Sequence, residues 1–176
     1  MFNELNTLKP FFEDPQREFN VRQAARILKM APATASKRLK GFSKQGILLH
    51  RKERVLDLYR ANPESTAYRD VKQYYNVTKI RNGGIIEYFD RKYLKPTVIF
   101  FGSGAHGYDV RDSDFDFVVI SEVPGIIKDD DLSSIEKKLN RRIQLFVVKD
   151  LNDLKNNNLI NNVLSGILLQ GEMKWT

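Results

Sequence analysis

Gly102-Ser103 and, after ten intervening residues, Asp114-Phe115-Asp116 are the residues of this chain whose types and spacing could do chemistry. The acids lead into Phe117-Val118-Val119-Ile120, a β-branched and aromatic run that reads as a buried strand. Side chains alternate across a strand, so Asp114 and Asp116 share one face while Phe115 and Phe117 take the other. Two carboxylates held a few ångströms apart repel each other, and a divalent cation between them removes that cost. Gly102-Ser103 offers a tight turn with backbone N–H groups and a hydroxyl, suited to a phosphate. The combination reads as a Mg-nucleotide site. Asp109 and Asp112, in the intervening loop, read as turn-forming, solvated aspartates.

The same residues match the signature of the DNA polymerase beta-like nucleotidyltransferases, and the flanks resemble the minimal nucleotidyltransferase branch of that superfamily. Pro96-Thr97-Val98-Ile99-Phe100-Phe101-Gly102-Ser103 is similar to its lead-in strand, and Gly107 and Ser113-Asp114 also fit. The resemblance runs from Lys79 to the C-terminus. It implies an α+β domain with a small mixed sheet and helices on one side. It implies that Asp114 and Asp116 are catalytic acids holding Mg2+, as one ion or a two-ion site, and that Gly102, Ser103 and His106 bind the nucleotide. The implied reaction is attack of an acceptor hydroxyl on the α-phosphate of a nucleoside triphosphate, with release of pyrophosphate. The acceptor would be a protein or a nucleic acid. Related minimal transferases are antitoxins that modify a toxin, so a toxin partner is among the acceptors.

Two departures from the family pattern stand out. His106 occupies a loop position where the family often has Arg. Gln144, on the expected strand Arg142 to Val148, stands where active members usually carry a third carboxylate. An amide cannot take a proton from an attacking hydroxyl and neutralises less metal charge than a carboxylate. The alternative reading is therefore a catalytically impaired, nucleotide-binding transcriptional regulator or antitoxin.

The elements that position these residues follow from periodicity and punctuation. Thr97 to Phe101 reads as the strand before the Gly-Ser turn, Pro124-Gly125 as a turn, and Leu132 to Leu139 as a helix. Asp129-Asp130-Asp131 would sit at that helix's N-terminus, where acids favour the dipole. A helix from Asp150, another over Leu159 to Leu164 and a last strand Ile167 to Gln170 complete this part, with Trp175 on a surface groove. Upstream, Ser65 or Thr66 starts a helix through Tyr75. Asn76 interrupts it, and Val77 to Leu94 is largely helical around a kink or hinge at Gly83-Gly84. Tyr68, Tyr74, Tyr75, Tyr88, Phe89 and Tyr93 read as core or dimer contacts.

The N-terminal part reads as three helices and a hairpin. Leu5 to Phe12 is a short helix, Val21 to Met30 a second with Asn20 as N-cap, and Pro32 to Lys44 a third with Ala35, Leu39 and Phe42 on one face. Ile47 to Lys52 and Val55 to Tyr59 alternate as strands. This part resembles a winged helix-turn-helix, over Phe2 to Asn62, with Ala33 to Leu39 similar to a recognition helix. The resemblance implies contacts to double-stranded DNA from Thr34, Ser36, Lys37, Arg38, Lys40 and Lys44 on the helix and Arg51, Lys52 and Arg54 on the wing. The same module can instead serve protein contacts, and such modules commonly work in pairs, so a homodimer is expected. The domain limits are 1–62 for the winged helix, 63–95 for a helical connector whose later part joins the second domain, and 96–176 for the nucleotidyltransferase-like domain.

Composition sets the outer limits. A chain of 176 residues allows one large or two small domains. Cysteine is absent, which excludes disulfide scaffolds and cysteine-built zinc sites, and two histidines are too few for a histidine-built one. No apolar run reaches membrane-spanning length and the first residues lack a signal-peptide pattern, so a cytoplasmic location without a membrane partner is expected. The net charge of +7 is uneven: residues 1–95 carry 20 Lys/Arg against 10 Asp/Glu, residues 96–176 carry 9 against 12. The basic part suits a polyanion and the acidic part a metal.

Overall fold

The computed structural model describes residues 5–123 and 129–173, with backbone only for 129–131. The expected Pro124-Gly125 turn and Trp175 lie outside the described residues. The chain divides into two compact units, 1–72 and 73–176.

In the first unit a 3-10 turn, Asn6–Leu8, runs into α1 (Lys9–Glu13). Phe19–Asn20, for which no strand is expected, forms a short strand, β1, directly ahead of the helix that Asn20 caps. Helices α2 (Val21–Ile27) and α3 (Pro32–Lys44) follow, then the hairpin β2 (Leu48–Glu53) and β3 (Leu56–Ala61). The sheet order is β1-β3-β2, antiparallel throughout. Asn20 starts α2 through a reciprocal capping box: its side chain accepts from the Gln23 N–H at 2.9 Å while Gln23 Oε1 accepts from the Asn20 N–H at 3.0 Å. In α3, Pro32 sits in the first turn, where its missing N–H costs nothing. Ala35, Leu39 and Phe42 are buried along one face of that helix.

The second unit contains most of α4 (Thr66–Gly83), then α5 (Ile85–Tyr93), β4 (Thr97–Phe101), the one-turn α6 (Gly102–Ala105) and β5 (Phe115–Ile120). It continues with α7 (Asp129–Leu139), β6 (Ile143–Val148), a 3-10 turn at Leu151–Leu154, α8 (Asn157–Leu164) and β7 (Ile167–Gln170). The sheet is mixed, in the order β6-β5-β4-β7. The β5/β6 pair is parallel and the other two pairs are antiparallel.

Alternation along the strands makes two apolar faces. Val98, Phe100, Phe115, Phe117 and Val119 pack with Tyr88, Phe89, Ile135 and Leu139 from α5 and α7. Ile99, Phe101 and Val118 pack on the opposite face against Val163, Leu159 and Leu154. The sheet is thus covered on both sides, not on one as the resemblance implied; α8 and the 3-10 turn supply the second layer.

Asn76 does not interrupt α4. Its side chain is 1% exposed and spends its hydrogen bonds inside the unit, so the tertiary partners outweigh its modest helix propensity. The glycine pair does separate two helices. Gly84 adopts φ 87 between α4 and α5, and a Cβ on Gly83 would press into the Leu139 side chain.

Candidate nucleotide site

The acid pair gains its geometry from the two strands that flank β5. On one side Phe101 of β4 is level with Asp116. The next residue, Gly102, turns the chain with φ 75 and lies so close to Asp116 that a Cβ there would run into the carboxylate. Glycine is required at this position twice over, for its backbone conformation and for the approach of the acid. From Gly102 the chain makes the single turn of α6, which no side chain caps. Ser103 is half-buried there, and its carbonyl accepts from the backbone N–H groups of Tyr108 (2.9 Å) and His106 (3.3 Å).

On the other side β6 runs parallel to β5, with Asp116 level with Gln144 and Phe115 with Ile143. One step before this ladder the Phe115 N–H donates to the Arg142 carbonyl at 2.8 Å, and Arg142 Nε lies 2.9 Å from Asp114 Oδ1. Each acid therefore has a neighbour at or just before β6: Arg142 beside Asp114, Gln144 beside Asp116. Burial, and secondarily the Asp114 charge, push the Asp116 carboxyl up to about 6.

The loop joining α6 to β5 is held from behind. Asn76 Nδ2 donates to the Gly104 carbonyl (2.9 Å) and to Asp109 Oδ1 (2.8 Å), and Gln73 Nε2 donates to the Ala105 carbonyl (2.7 Å). Asp109 is fully buried, not solvated as its sequence context predicts, and its Oδ2 lies 3.6 Å from the Arg141 guanidinium. Arg141 and Arg142 are consecutive yet differ in setting: the first is buried against Phe115, the second is exposed beside Asp114. At the far side of the loop His106 Nε2 lies 3.5 Å from Ser165 Oγ, just after α8. Gly166 fits there because a Cβ would strike the Phe100 carbonyl.

Asp114, Asp116, Gly102, Ser103 and Gln144 thus meet at one end of β5. Arg142 joins them with no signal in the sequence reading, as do Arg141 and Ser165 around the loop; Asn76 and Asp109 have other, local roles in that reading. Only the β6 register could have flagged Arg142, since it sits two residues before Gln144. Among the described residues no group of three or more acidic, histidine or cysteine side chains could hold a metal. Two carboxylates still suit Mg2+, which is bound in nucleotide sites through one or two carboxylates plus substrate phosphates. The raised Asp116 carboxyl is the cost that such an ion would relieve. A cavity of about 750 Å³ lies at the opposite end of these strands, lined by Thr97, Ile120 and Lys149, and contains neither acid of the pair.

Residues 83–164 match the family model of the nucleotidyltransferase domain. The match spans Gly102-Ser103 and both acids, and the four-stranded mixed sheet is compatible with that family's fold. A nucleotidyltransferase-like function is thereby supported for this part of the chain. No curated protein matches the chain.

The basic residues of the first unit sort into two groups. Thr34, Lys37, Lys40 and Lys44 are exposed along one side of α3, and Ser36 is half-buried. No ion pair holds those three lysines among the described residues. Arg38 instead donates from Nη1 to Thr7 Oγ1 at 3.1 Å, which draws it inward. Arg51 is bound by Glu18 (2.8 and 2.6 Å) and by Glu53 (2.6 Å), and these acids raise its pKa further. Lys52 and Arg54 are exposed at the hairpin, beside Val55 at its tip. Among the described residues no helix is long and apolar enough to cross a membrane.

Proposed function

We propose that the second unit binds a Mg-nucleoside triphosphate and transfers its nucleoside monophosphate to a protein or nucleic-acid acceptor. The observation that carries this reading is the contact of Asp116 with Gly102, which brings the acid pair and the Gly-Ser turn to one point. Asp114 and Asp116 would hold a magnesium ion, which when bound supplies Lewis-acid neutralisation of charge on the α-phosphate. The uncapped N–H groups of α6 and the Ser103 hydroxyl would hold the polyphosphate, and His106 would approach it from the loop. The buried Asn76, Asp109 and Arg141 would keep the loop from moving with its ligand.

The experiment is label transfer. The protein is incubated with radiolabelled ATP, GTP, CTP or UTP, Mg2+ and candidate acceptors, a toxin-type protein partner included. Transfer that vanishes in Asp114→Asn and Asp116→Asn supports the enzyme. Nucleotide binding without transfer, across all acceptors, argues against it.

Gln144 beside Asp116 favours a second reading, a nucleotide-sensing regulator without transferase activity. In both readings the first unit serves as a winged helix on double-stranded DNA, in a homodimer. Its order of helix, strand, two helices and hairpin supports that assignment, as does the exposed stripe of Lys37, Lys40 and Lys44 on α3. Duplex binding that responds to added nucleotide would favour the regulator.

A further inference from the structure

The strand that lacks the expected acid also brings a cation. Gln144 of β6 is level with Asp116, and Arg142, the residue just before β6, stands beside Asp114, held there by the Phe115–Arg142 backbone hydrogen bond. With a carboxylate at position 144 and a neutral residue at 142, the site would hold three negative charges. As it stands, two acids face one guanidinium and one amide. A second divalent ion has no third acid to bind among the described residues, and the first must compete with Arg142 for Asp114. The Arg142 side chain is 77% exposed, so it can swing away at little cost; an exposed ion pair of this kind is worth at most about a fivefold factor.

We infer that Arg142 is the resident counter-cation of the acid pair. Free divalent ion binds up to about fivefold more weakly than it would without this guanidinium, which it must displace. A metal–nucleotide complex brings its own negative charge, so the ion enters with the nucleotide, and the displaced guanidinium turns to the polyphosphate, which it can bond in bidentate fashion. The site then works with one divalent ion. This rests on the nucleotide-site reading above.

Opposite changes in two affinities test it, on the full chain. Mn2+ binding is followed by electron paramagnetic resonance and Mg-triphosphate binding by calorimetry, for the wild type, Arg142→Ala, Arg142→Lys and Gln144→Glu. Arg142→Ala is expected to bind free Mn2+ about fivefold more tightly and Mg-triphosphate several-fold more weakly. Arg142→Lys should keep the weak Mn2+ affinity, because the charge remains. Gln144→Glu should bind free Mn2+ more tightly by restoring an acid. Equal Mn2+ affinity in the wild type and Arg142→Ala, with Mg-triphosphate still bound, overturns the role of Arg142 and leaves the nucleotide site standing. Absence of both metal and Mg-triphosphate binding in every form overturns both.

Discussion

The two charged regions of this protein are built differently. The acid site of the second unit is set by strand register and backed by a buried polar network, so each functional side chain has a defined neighbour. The basic surface of the first unit is a stripe on a helix and a hairpin edge, where the neighbours decide which charges remain available. Lys37, Lys40 and Lys44 face solvent, whereas Arg51 is shared between Glu18 and Glu53 and Arg38 is turned toward Thr7. Spacing is a strong guide where the backbone fixes the contacts and a weaker one where long side chains choose their partners.

The contrast can be tested from its strongest point outward. Gly102→Val should lower Mg-triphosphate affinity about a hundredfold, because a Cβ meets Asp116 and the φ of 75 disfavours any side chain; calorimetry would read it. Asn76→Ala should destabilise the second unit by about 2 kcal/mol in urea unfolding, since two buried acceptors lose their donor. Lys37→Ala with Lys40→Ala should weaken duplex binding about tenfold at low salt and flatten its salt dependence, while Arg51→Ala changes it less than twofold. Equal effects of Arg51→Ala and the lysine pair would erase the distinction drawn between stripe and hairpin.

The smallest effect concerns pH. The Asp116 carboxyl is raised to about 6 from an ordinary value near 3.8, so the folded state favours its protonated form. That preference stabilises the metal-free fold fully below the ordinary value and is lost as pH rises through about 6. Asp116→Asn should therefore stabilise the metal-free protein at pH 8, by on the order of 1 kcal/mol after solvent screening, and leave it unchanged near pH 3.5. Thermal melts at the two pH values check this. Binding of Mn2+ by the wild type should weaken as pH falls through about 6.

The strand–turn–strand motif was legible because period-two alternation and glycine have few alternatives. Asp114 and Asp116, the Gly102 turn and the level of Gln144 all follow from it. Three features were not legible. Phe19–Asn20 is too short to show alternation and becomes a strand only by pairing with Tyr59 and Leu58. Asn76 and Asp109 look like a helix breaker and a turn aspartate locally, and only tertiary partners bury them. The second helical layer over the sheet depends on α8, whose asparagine-rich start hides an apolar face centred on Val163.

The sheet also implies an order of assembly. Strand β4 meets β5 across a single loop, but it meets β7 only when distant chain returns, with Thr97 Oγ1 bonding the Glu172 carbonyl 75 residues away. Closing a longer loop costs more entropy, so the local hairpin can form first and the distant edge docks later. The acids and their glycine turn would therefore be in place early in folding, whereas Ser165 and Gly166, carried in just ahead of β7, complete the wall beside His106 last.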